Sequence, residues 1–402
     1  MFLAVGVSLA MVVPFLSLFL STDVHAGPVR VTVFLIVAPL AGVVASTLIG
    51  WLSDRRAIRR ALLIGASLAG LIASGLTAFV RDYWVLLALA VSATALAGSL
   101  FPQTFAYARQ VLSRDGSSRA AMGISILRTV FSLAWVAGPP LAALLLNLGG
   151  FGYVYGTAAA MYAIAALVAI LGLTEIGAAA PAVSSDDAPV AGVPDTVEAP
   201  RWTLLLTAAA FTLLQCPLTL GVQALPLFVR TDLGGDVADA GLILGLCAAL
   251  EIPLMLGLGA LSTRIPLRAL VLAGAGCGIG YYALATATSS IPLLAIAQIV
   301  NAAFIAAVSG LGISYMQDML PRHPGRATTL FANSFPIGAI LAGPLLGLAQ
   351  HLGYRLAYGT GAALCTAGLL LLLVVRPSVR PGRSPAAQRQ AAARIDRQAA
   401  TR

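Results

Sequence analysis

The sequence has no lysine and few of the side chains from which enzymes build active sites. Its 402 residues include 24 arginines, 15 acidic residues and three histidines, so only 10% of the chain is charged. Soluble domains carry roughly 25% charged residues. The histidines (His25, His323 and His351) are far apart, and the four cysteines form no CxxC pair. We therefore predict no metal site, no cofactor and no enzyme activity.

Long apolar segments take the place of the missing charge. Hydrophobic residues make up 59% of the chain, and its mean hydropathy is +0.94. A helix needs roughly 20 apolar residues to cross a bilayer. Segments of this kind lie at 2–21, 29–52, 61–80, 84–107, 120–147, 152–173, 202–229, 238–260, 268–287, 291–315, 327–350 and 354–375. The sequence therefore predicts an all-α integral membrane protein with 12 transmembrane helices.

Arginine is distributed unequally between the two faces of these predicted helices. Nineteen arginines lie on one face, four lie on the other (Arg30, Arg81, Arg230 and Arg355), and Arg128 lies within a helix. We call these the arginine-rich and the arginine-poor face. Basic residues concentrate on the cytoplasmic side of membrane proteins, so both termini are predicted to be cytoplasmic. The net charge of +9 then reflects topology in a lipid bilayer, and we predict no nucleic-acid partner.

One long polar break divides the chain. Residues 174–201 are rich in Ala, Pro and Ser and carry five acidic residues, a composition that is typical of a flexible linker. We therefore predict an N-terminal six-helix bundle at 1–173, a cytoplasmic linker at 174–201 and a C-terminal six-helix bundle at 202–375. Residues 376–402 are predicted to form a basic, disordered cytoplasmic tail, or a helix that lies on anionic lipid.

The two halves share short patterns at nearly constant offsets. Gly138-Pro139 recurs as Gly343-Pro344, 205 residues later, and Tyr155-Gly156-Thr157 recurs as Tyr358-Gly359-Thr360, 203 residues later. Many transporters consist of such repeats and bind their substrates where the repeats meet. We therefore predict pseudo-twofold symmetry between the two bundles and a central cavity between them.

Several motifs resemble those of a known transporter family. The segment from Gly50 through Asp54-Arg55 to Arg59-Arg60 is similar to the loop signature of the major facilitator superfamily, which has glycine where Ala57 stands. Further motifs resemble those of the bacterial sugar efflux transporters: Pro14-x-Leu16-Ser17-Leu18-Phe19-Leu20-Ser21, Pro102-Gln103-x-Phe105-Ala106-x-Ala108-Arg109, Ser132-Leu133-Ala134-Trp135-Val136-x-Gly138-Pro139-Pro140, Glu251-Ile252-Pro253 and Gln317-Asp318-x-x-Pro321.

The resemblance implies a secondary active transporter in a bacterial inner membrane that exports small sugars and glycosides from the cytoplasm. Lactose, glucose and thiogalactosides are the substrate class it implies, proton antiport by alternating access is the mechanism, and a monomer is the expected state. A transporter of the same fold for drugs or other amphipathic compounds is the alternative. A membrane-embedded enzyme or a sensor is a third possibility, but catalytic groups and a further folded domain are missing from the sequence.

Two ionisable residues lie deep within predicted helices. Arg128 and Glu251 fall near the bilayer midplane, where a charge costs roughly 2.5–3.5 kcal/mol on insertion scales, so both are functional candidates. Glu251 can gain and lose a proton and is our candidate for proton coupling. Arg128 stays charged, so it would bind sugar hydroxyls or hold Glu251 ionised. A static ion pair between these two helices is the structural alternative.

Polar side chains at helical spacing form the candidate substrate site. Ser132 and Trp135 follow Arg128 on one helical face, and an aromatic ring beside polar groups suits a sugar. Further candidates are the intramembrane polar residues Gln103, Tyr107, Gln215, Asn301 and Asn333, with Gln298 on the face of Asn301. Hydrogen bonding between helices is the alternative role for each of them.

Charged residues at the arginine-rich ends of the helices are candidates for gating. The set consists of Asp54, Arg55, Arg59, Arg60, Arg109 and Asp318. An aspartate at a helix end can pair with arginine and cap a neighbouring helix, which would hold this face shut. The alternative is that these charges only fix the topology.

Overall fold

The computed structural model describes residues 1–56, 58–114, 117–175, 199–321 and 323–375. Within these residues every regular element is helical. Most of the predicted linker and the whole predicted tail, 376–402, lie outside the described residues. The side chains of Asp54, Arg109 and Arg128 also lie outside the described part.

The N-terminal helices, α1–α8, lie before the predicted linker. In chain order they are α1 (Phe2–Val12), α2 (Leu16–Thr22), α3 (Pro28–Arg55), α4 (Arg59–Phe79), α5 (Tyr83–Leu89), α6 (Ala95–Gly98), α7 (Leu100–Arg114) and α8 (Ser117–Gly172). A 3₁₀ turn joins α1 to α2, where Pro14 removes a backbone donor, and a π-helical turn, Ala90–Thr94, joins α5 to α6.

The C-terminal helices, α9–α15, lie after the predicted linker. They are α9 (Arg201–Asp232), α10 (Val237–Leu261), α11 (Leu267–Ala287), α12 (Ile291–Ile305), α13 (Leu311–Met319), α14 (Pro324–Leu352) and α15 (Arg355–Val374). A second π-helical turn, Ala306–Gly310, joins α12 to α13. Asp236 and Asp239 start α10 with reciprocal side chain to backbone hydrogen bonds, which satisfy donors that a helix start leaves unpaired.

Eleven helices in the described residues are long and apolar enough to cross a membrane. The predicted all-helical membrane architecture is thereby confirmed. The number differs from the predicted 12 because the predicted fifth and sixth helices are counted together in the stretch Thr129–Gly172, of 44 residues. Such a length is about 66 Å at 1.5 Å per residue, roughly twice the ~30 Å hydrocarbon core. Its backbone leaves helical geometry at Gly149 and Gly150.

Glycine makes two turns on the arginine-poor face possible. Gly150, inside α8, has φ +69°, and Gly353, between α14 and α15, has φ +103°. Residues with a Cβ rarely adopt such angles. The two glycines lie 203 residues apart, at the offset of the repeated Tyr-Gly-Thr pattern, so the repeat carries the backbone geometry of a turn as well as a sequence.

Arginine side chains complete helix ends on the arginine-rich face in both halves. Arg60, at the start of α4, donates to the carbonyl oxygens of Ala169 and Ile170 at the end of α8 (3.5 and 2.6 Å). Arg268, at the start of α11, donates to the carbonyls of Leu372 and Val375 at the end of α15 (2.9 and 2.7 Å). The last carbonyls of a helix have no partner within it, and a cation there also favours the helix dipole.

A matching contact recurs on the arginine-poor face. Arg81 donates to the carbonyl of Thr77 near the end of α4 (2.8 Å) and pairs with Asp23 (3.4 Å). Arg355 donates to the carbonyl of Thr286 near the end of α11 (2.7 Å) and pairs with Asp232 (3.8 Å). The two aspartates, and likewise the two threonines, lie 209 residues apart, whereas the arginines come from unrelated turns.

The N-terminal and C-terminal helices meet near their arginine-poor ends. Gly343 of α14 packs closely on Leu35 of α3, and Gly241 of α10 packs on Pro139 of α8. Hydrogen bonds add to this contact: the Ser17 hydroxyl donates to the carbonyl of Gln223 (2.5 Å), and Gln350 Nε2 donates to Ser21 Oγ (3.1 Å). These contacts lie between the arginine-poor face and the middle of the helices, where a cavity begins.

Candidate functional site

A cavity of about 430 Å³ lies at mid-depth among α8 and the C-terminal helices. Its lining combines polar, aromatic and aliphatic side chains. The residues are Val13, Phe131, Ser132, Trp135, Gln215, Leu218, Thr219, Gly221, Val222, Gln223, Leu225, Leu244, Cys247, Ala248, Glu251, Tyr281, Tyr282, Gln298, Asn301, Ile305, Ser309 and Phe335. Five of the predicted site residues, Ser132, Trp135, Gln215, Glu251 and Asn301, are brought together here.

Glu251 supplies the carboxylate of the cavity. It lies 14 residues after Val237, which places it ~21 Å along α10 from the arginine-poor end. Of the described residues that line the cavity, it is the only aspartate, glutamate, arginine or histidine. A carboxyl group at this depth can exchange a proton with a cavity that opens to water.

A chain of amide and phenol groups covers the wall formed by α10, α11 and α12. Asn301 Nδ2 donates to Gln298 Oε1 (2.9 Å) and lies 3.4 Å from Cys247 Sγ. Gln298 Nε2 donates to the Tyr281 hydroxyl (3.1 Å) and to the carbonyl of Leu294 (3.2 Å). The chain holds the Asn301 and Tyr281 side chains in place at the cavity wall.

The second π-helical turn brings one more polar group into the cavity. A π-helical turn inserts a residue into a helix, and such turns are frequent at functional sites. Ser309 lies in this turn, and its hydroxyl accepts a hydrogen bond from Gln215 Nε2 of α9 (3.4 Å). On the same side, the Tyr282 hydroxyl donates to the carbonyl of Pro217 (2.6 Å), which fixes α11 against α9.

Helix α8 supplies the aromatic side of the cavity. Trp135 and Ser132 are half-buried and line it together with Phe131. The Phe131 ring stacks on Phe101 at 4.4 Å between centroids, which anchors this part of α8 to α7. Arg128 precedes Trp135 by seven residues, so its backbone lies two turns closer to the arginine-rich face on a similar side of α8.

Three predicted site residues lie away from the cavity lining. Tyr107 is buried and both donates to and accepts from the backbone of Thr174 (3.0 and 3.2 Å), which ties the end of α8 to α7. Gln103 is buried near Gly50 of α3, and Asn333 is exposed on α14. Their predicted role in substrate binding stays a prediction.

Comparison with protein families identifies the chain. The family model of the Major Facilitator Superfamily matches residues 1–284 and 210–400. The chain belongs to this superfamily. It is 34% identical over 379 residues to sugar efflux transporter A of Dickeya chrysanthemi, covering 90% of this chain and 91% of that one. It is 34% identical over 380 residues to sugar efflux transporter A of Escherichia coli K12, covering 92% and 93%.

This similarity confirms both resemblances drawn from the motifs and places the chain among the bacterial sugar efflux transporters. Solved structures share the fold at low identity. A nucleoside transporter superimposes with a TM-score of 0.72, 14% identity and coverage of 93% and 96%. A D-xylose–proton symporter superimposes with a TM-score of 0.72, 12% identity and coverage of 94% and 95%.

The residues of the superfamily loop signature make contacts within the N-terminal helices. Arg59 is buried, and its guanidinium donates to Gln110 Oε1 (3.2 Å) and Ser53 Oγ (3.4 Å). The Arg55 guanidinium lies 4.2 Å from the ring centroid of Trp51, a cation–π contact. Arg60 contacts the end of α8, as described above. Asp318 is exposed on α13.

Several cavity residues escaped prediction from the sequence. Tyr281, Tyr282 and Ser309 lie in largely apolar segments, and Gln223 lies between two prolines of α9. Adjacent tyrosines deep in a predicted membrane helix are a usable signal, because a phenol hydroxyl needs a partner when it is buried. Nothing in the sequence marks the π-helical turn that exposes Ser309 to the cavity.

Proposed function

We propose that this protein exports small sugars and glycosides from the bacterial cytoplasm in exchange for protons, by alternating access. The observation that carries the proposal is the similarity to curated sugar efflux transporters over at least 90% of the chain. The cavity adds physical support, because it combines amide and hydroxyl groups with aromatic rings and one carboxylate. Sugars need polar partners for their hydroxyls and apolar partners for their C–H faces.

The proposed architecture consists of 12 transmembrane helices, with α8 serving as two helices that meet at Gly150. Residues 1–173 and 202–375 would form six-helix bundles related by pseudo-twofold symmetry, with 174–201 as the cytoplasmic linker. The recurring arginine contacts at the ends of α4 and α11 support this relation. The arginine-rich face is the cytoplasmic one in this proposal, so both termini are cytoplasmic, and the protein works as a monomer.

The contacts between the N-terminal and C-terminal helices support a conformation that is closed on the outside. They lie toward the arginine-poor ends, which face out of the cell in the proposed topology. A sugar would reach the cavity from the cytoplasm, these contacts would separate, and the sugar would leave. Closing the opposite ends is the role proposed for Asp54, Arg55, Arg59, Arg60, Arg109 and Asp318.

Glu251 is the proposed proton carrier. In the outward-open state its carboxylate takes up a proton from outside, and in the inward-open state it releases that proton to the cytoplasm while sugar binds. Arg128 would favour the ionised form of Glu251 or bind sugar hydroxyls, because its guanidinium keeps its charge. Trp135 would cover the C–H face of the sugar, while Ser132, Gln215 and Asn301 would bind its hydroxyls.

Counterflow in proteoliposomes tests this proposal. Vesicles are loaded with unlabelled lactose, glucose or a thiogalactoside, and entry of the labelled sugar is measured for wild type and Glu251→Gln. We expect Glu251→Gln to exchange sugar but to lose accumulation driven by a pH gradient, because exchange needs no net proton movement. Asp82→Asn is the control: Asp82 caps the start of α5 far from the cavity, and asparagine caps helices equally well. Wild-type vesicles that exchange none of these sugars would refute the sugar assignment.

Export of amphipathic compounds is the second candidate. The cavity favours it in one respect, because Leu218, Val222, Leu244 and Ile305 give the lining a large apolar share. Dye efflux from the same vesicles separates the two functions: a sugar exporter exchanges sugars and leaves the dye inside, whereas a drug exporter does the reverse.

A further inference from the structure

The side-chain amide of Gln298 has only one orientation that its surroundings allow. Gln298 is 2% exposed, and one end of its amide faces the carbonyl oxygen of Leu294 at 3.2 Å. A carbonyl oxygen can only accept hydrogen bonds, so this end must be the NH₂ group. The oxygen Oε1 of Gln298 is therefore turned toward Asn301.

The orientation of Gln298 dictates that of Asn301. Because Gln298 Oε1 only accepts, Asn301 must present its own NH₂ group, which donates across 2.9 Å and also faces Cys247 Sγ. The opposite orientation would bring two acceptor oxygens together. Asn301 Oδ1 is consequently turned away from both partners. It is buried and accepts no hydrogen bond from any protein group in the described residues.

Asn301 and Tyr281 stand at the two ends of this chain, and both line the cavity. The Tyr281 hydroxyl accepts from Gln298 Nε2, so its own proton is directed elsewhere. The chain thus leaves a buried, unpaired acceptor oxygen on one lining residue, Asn301, and a hydroxyl proton on another, Tyr281. A buried acceptor without a donor is costly, and a ligand hydroxyl removes that cost.

We propose that Asn301 Oδ1 accepts a hydrogen bond from one particular hydroxyl group of the transported sugar. Asn301 then determines specificity, because only a group that donates satisfies it. Gln298 is a positioning residue that prevents the Asn301 amide from turning. The inference rests on the proposed export of sugars and adds to it a requirement at a single ring position.

Sugar analogues test this requirement directly. Each hydroxyl of the exchanged sugar is replaced in turn by hydrogen or by fluorine, and competition with labelled sugar is measured in counterflow. Fluorine is close in size to a hydroxyl but cannot donate a hydrogen bond. At one ring position we expect both analogues to compete about 5- to 150-fold more weakly with wild type, which corresponds to an unpaired buried acceptor.

Two variants assign the effect to the proposed atoms. In Asn301→Ala the sugar and its two analogues are expected to compete equally, because the acceptor is gone. In Gln298→Met the Asn301 amide is free to turn its NH₂ toward the ligand, so the fluoro analogue is expected to regain affinity relative to the deoxy analogue. A general packing defect would weaken all ligands alike. Asn147→Ala, an exposed amide just before the Gly149–Gly150 turn of α8, is the matched control, and thermal melting in detergent verifies that each variant is folded.

The outcomes separate this inference from the function on which it rests. If wild type exchanges sugar but tolerates the loss of each hydroxyl, or if Asn301→Ala keeps the discrimination, the specificity role of Asn301 is refuted and sugar export stands. If wild type exchanges no sugar at all, the proposed function fails and this inference fails with it.

Discussion

Two glycines of α10 allow it to approach α8 closely, and an added methyl group would push the two helices apart. A Cβ at Gly245 would lie 2.7 Å from Pro140 Cγ and 2.8 Å from the carbonyl oxygen of Val136. A Cβ at Gly241 would lie 2.8 Å from the carbonyl oxygen of Pro139. At Gly241 the added Cβ would also lie 2.6 Å from Ala143 Cβ, and ordinary contacts begin near 3.4 Å. The helices would therefore have to separate by about 0.7–0.8 Å at either position.

The separation has a predictable effect on the conformational equilibrium. Overpacking against backbone costs about 1–3 kcal/mol, and this cost applies only to the state in which α8 and α10 touch. We therefore expect Gly245→Ala to raise the population of the outward-open state about 5- to 150-fold, as long as that state is minor. The intrinsic preference of helices for alanine, about 1 kcal/mol, applies in both states and cancels.

Cys247 reports on this change, because its side chain lines the cavity. A membrane-impermeant maleimide is applied to the arginine-poor face of oriented vesicles, and the peptide that carries Cys247 is quantified by mass spectrometry. The labelling rate should rise with Gly245→Ala and remain at the wild-type value with Gly257→Ala, since a Cβ at Gly257 of the same helix meets nothing within 4 Å. Equal rates for wild type and Gly245→Ala would refute the claim that α8 and α10 separate during transport.

Two further predictions concern the arginine-poor turns. Gly353→Ala should lower the free energy of unfolding by about 1–2 kcal/mol, because φ is +103° there; thermal melting checks this, with Gly276→Ala, which meets open space, as the unaffected control. Arg355→Ala should lower that free energy by only about 1 kcal/mol or less, since its pair with Asp232 is partly exposed (38% and 20%). The decrease in the free energy of unfolding caused by Arg355→Ala should be smaller in high salt, because salt screens the ion pair. A decrease that does not depend on salt would contradict a contribution from the ion pair.

The sequence predicts the helices well because hydropathy alone determines which segments enter a bilayer. The predicted and observed ends agree within a few residues, for example 268–287 against Leu267–Ala287. Gly150 and Gly353 are separated by the same 203 residues as the repeated Tyr-Gly-Thr pattern, but only their backbone angles show that both make a turn. The sequence does not show how tightly the chain turns between the predicted fifth and sixth helices, because that depends on the backbone angles at Gly149 and Gly150.

The cavity is harder to predict because a helix of mixed composition can turn any of its faces inward. Gln103 and Tyr107 form a polar stripe at i, i+4, and such a stripe fits a cavity wall and a helix contact equally well. Tyr107 instead bonds the backbone of Thr174. Glu251 was predictable for the opposite reason: a carboxylate in the middle of a membrane helix has few tolerable positions other than a polar cavity.

Charged and neutral contacts have different roles in this structure. The arginine contacts described here stay within the N-terminal or the C-terminal helices, where they fasten helix ends to one another. Arg81 and Arg355 come from unrelated turns, but each donates to a threonine carbonyl near a helix end and pairs with an aspartate. The same type of contact therefore stabilises the ends of α4 and α11. The contacts between the two sets that the described side chains make at their arginine-poor ends are neutral, namely close glycines and hydrogen bonds such as that of Ser17 with Gln223. A neutral hydrogen bond contributes about 1 kcal/mol and leaves no unpaired charge when it breaks, so the helices within a set can remain joined while the two sets separate.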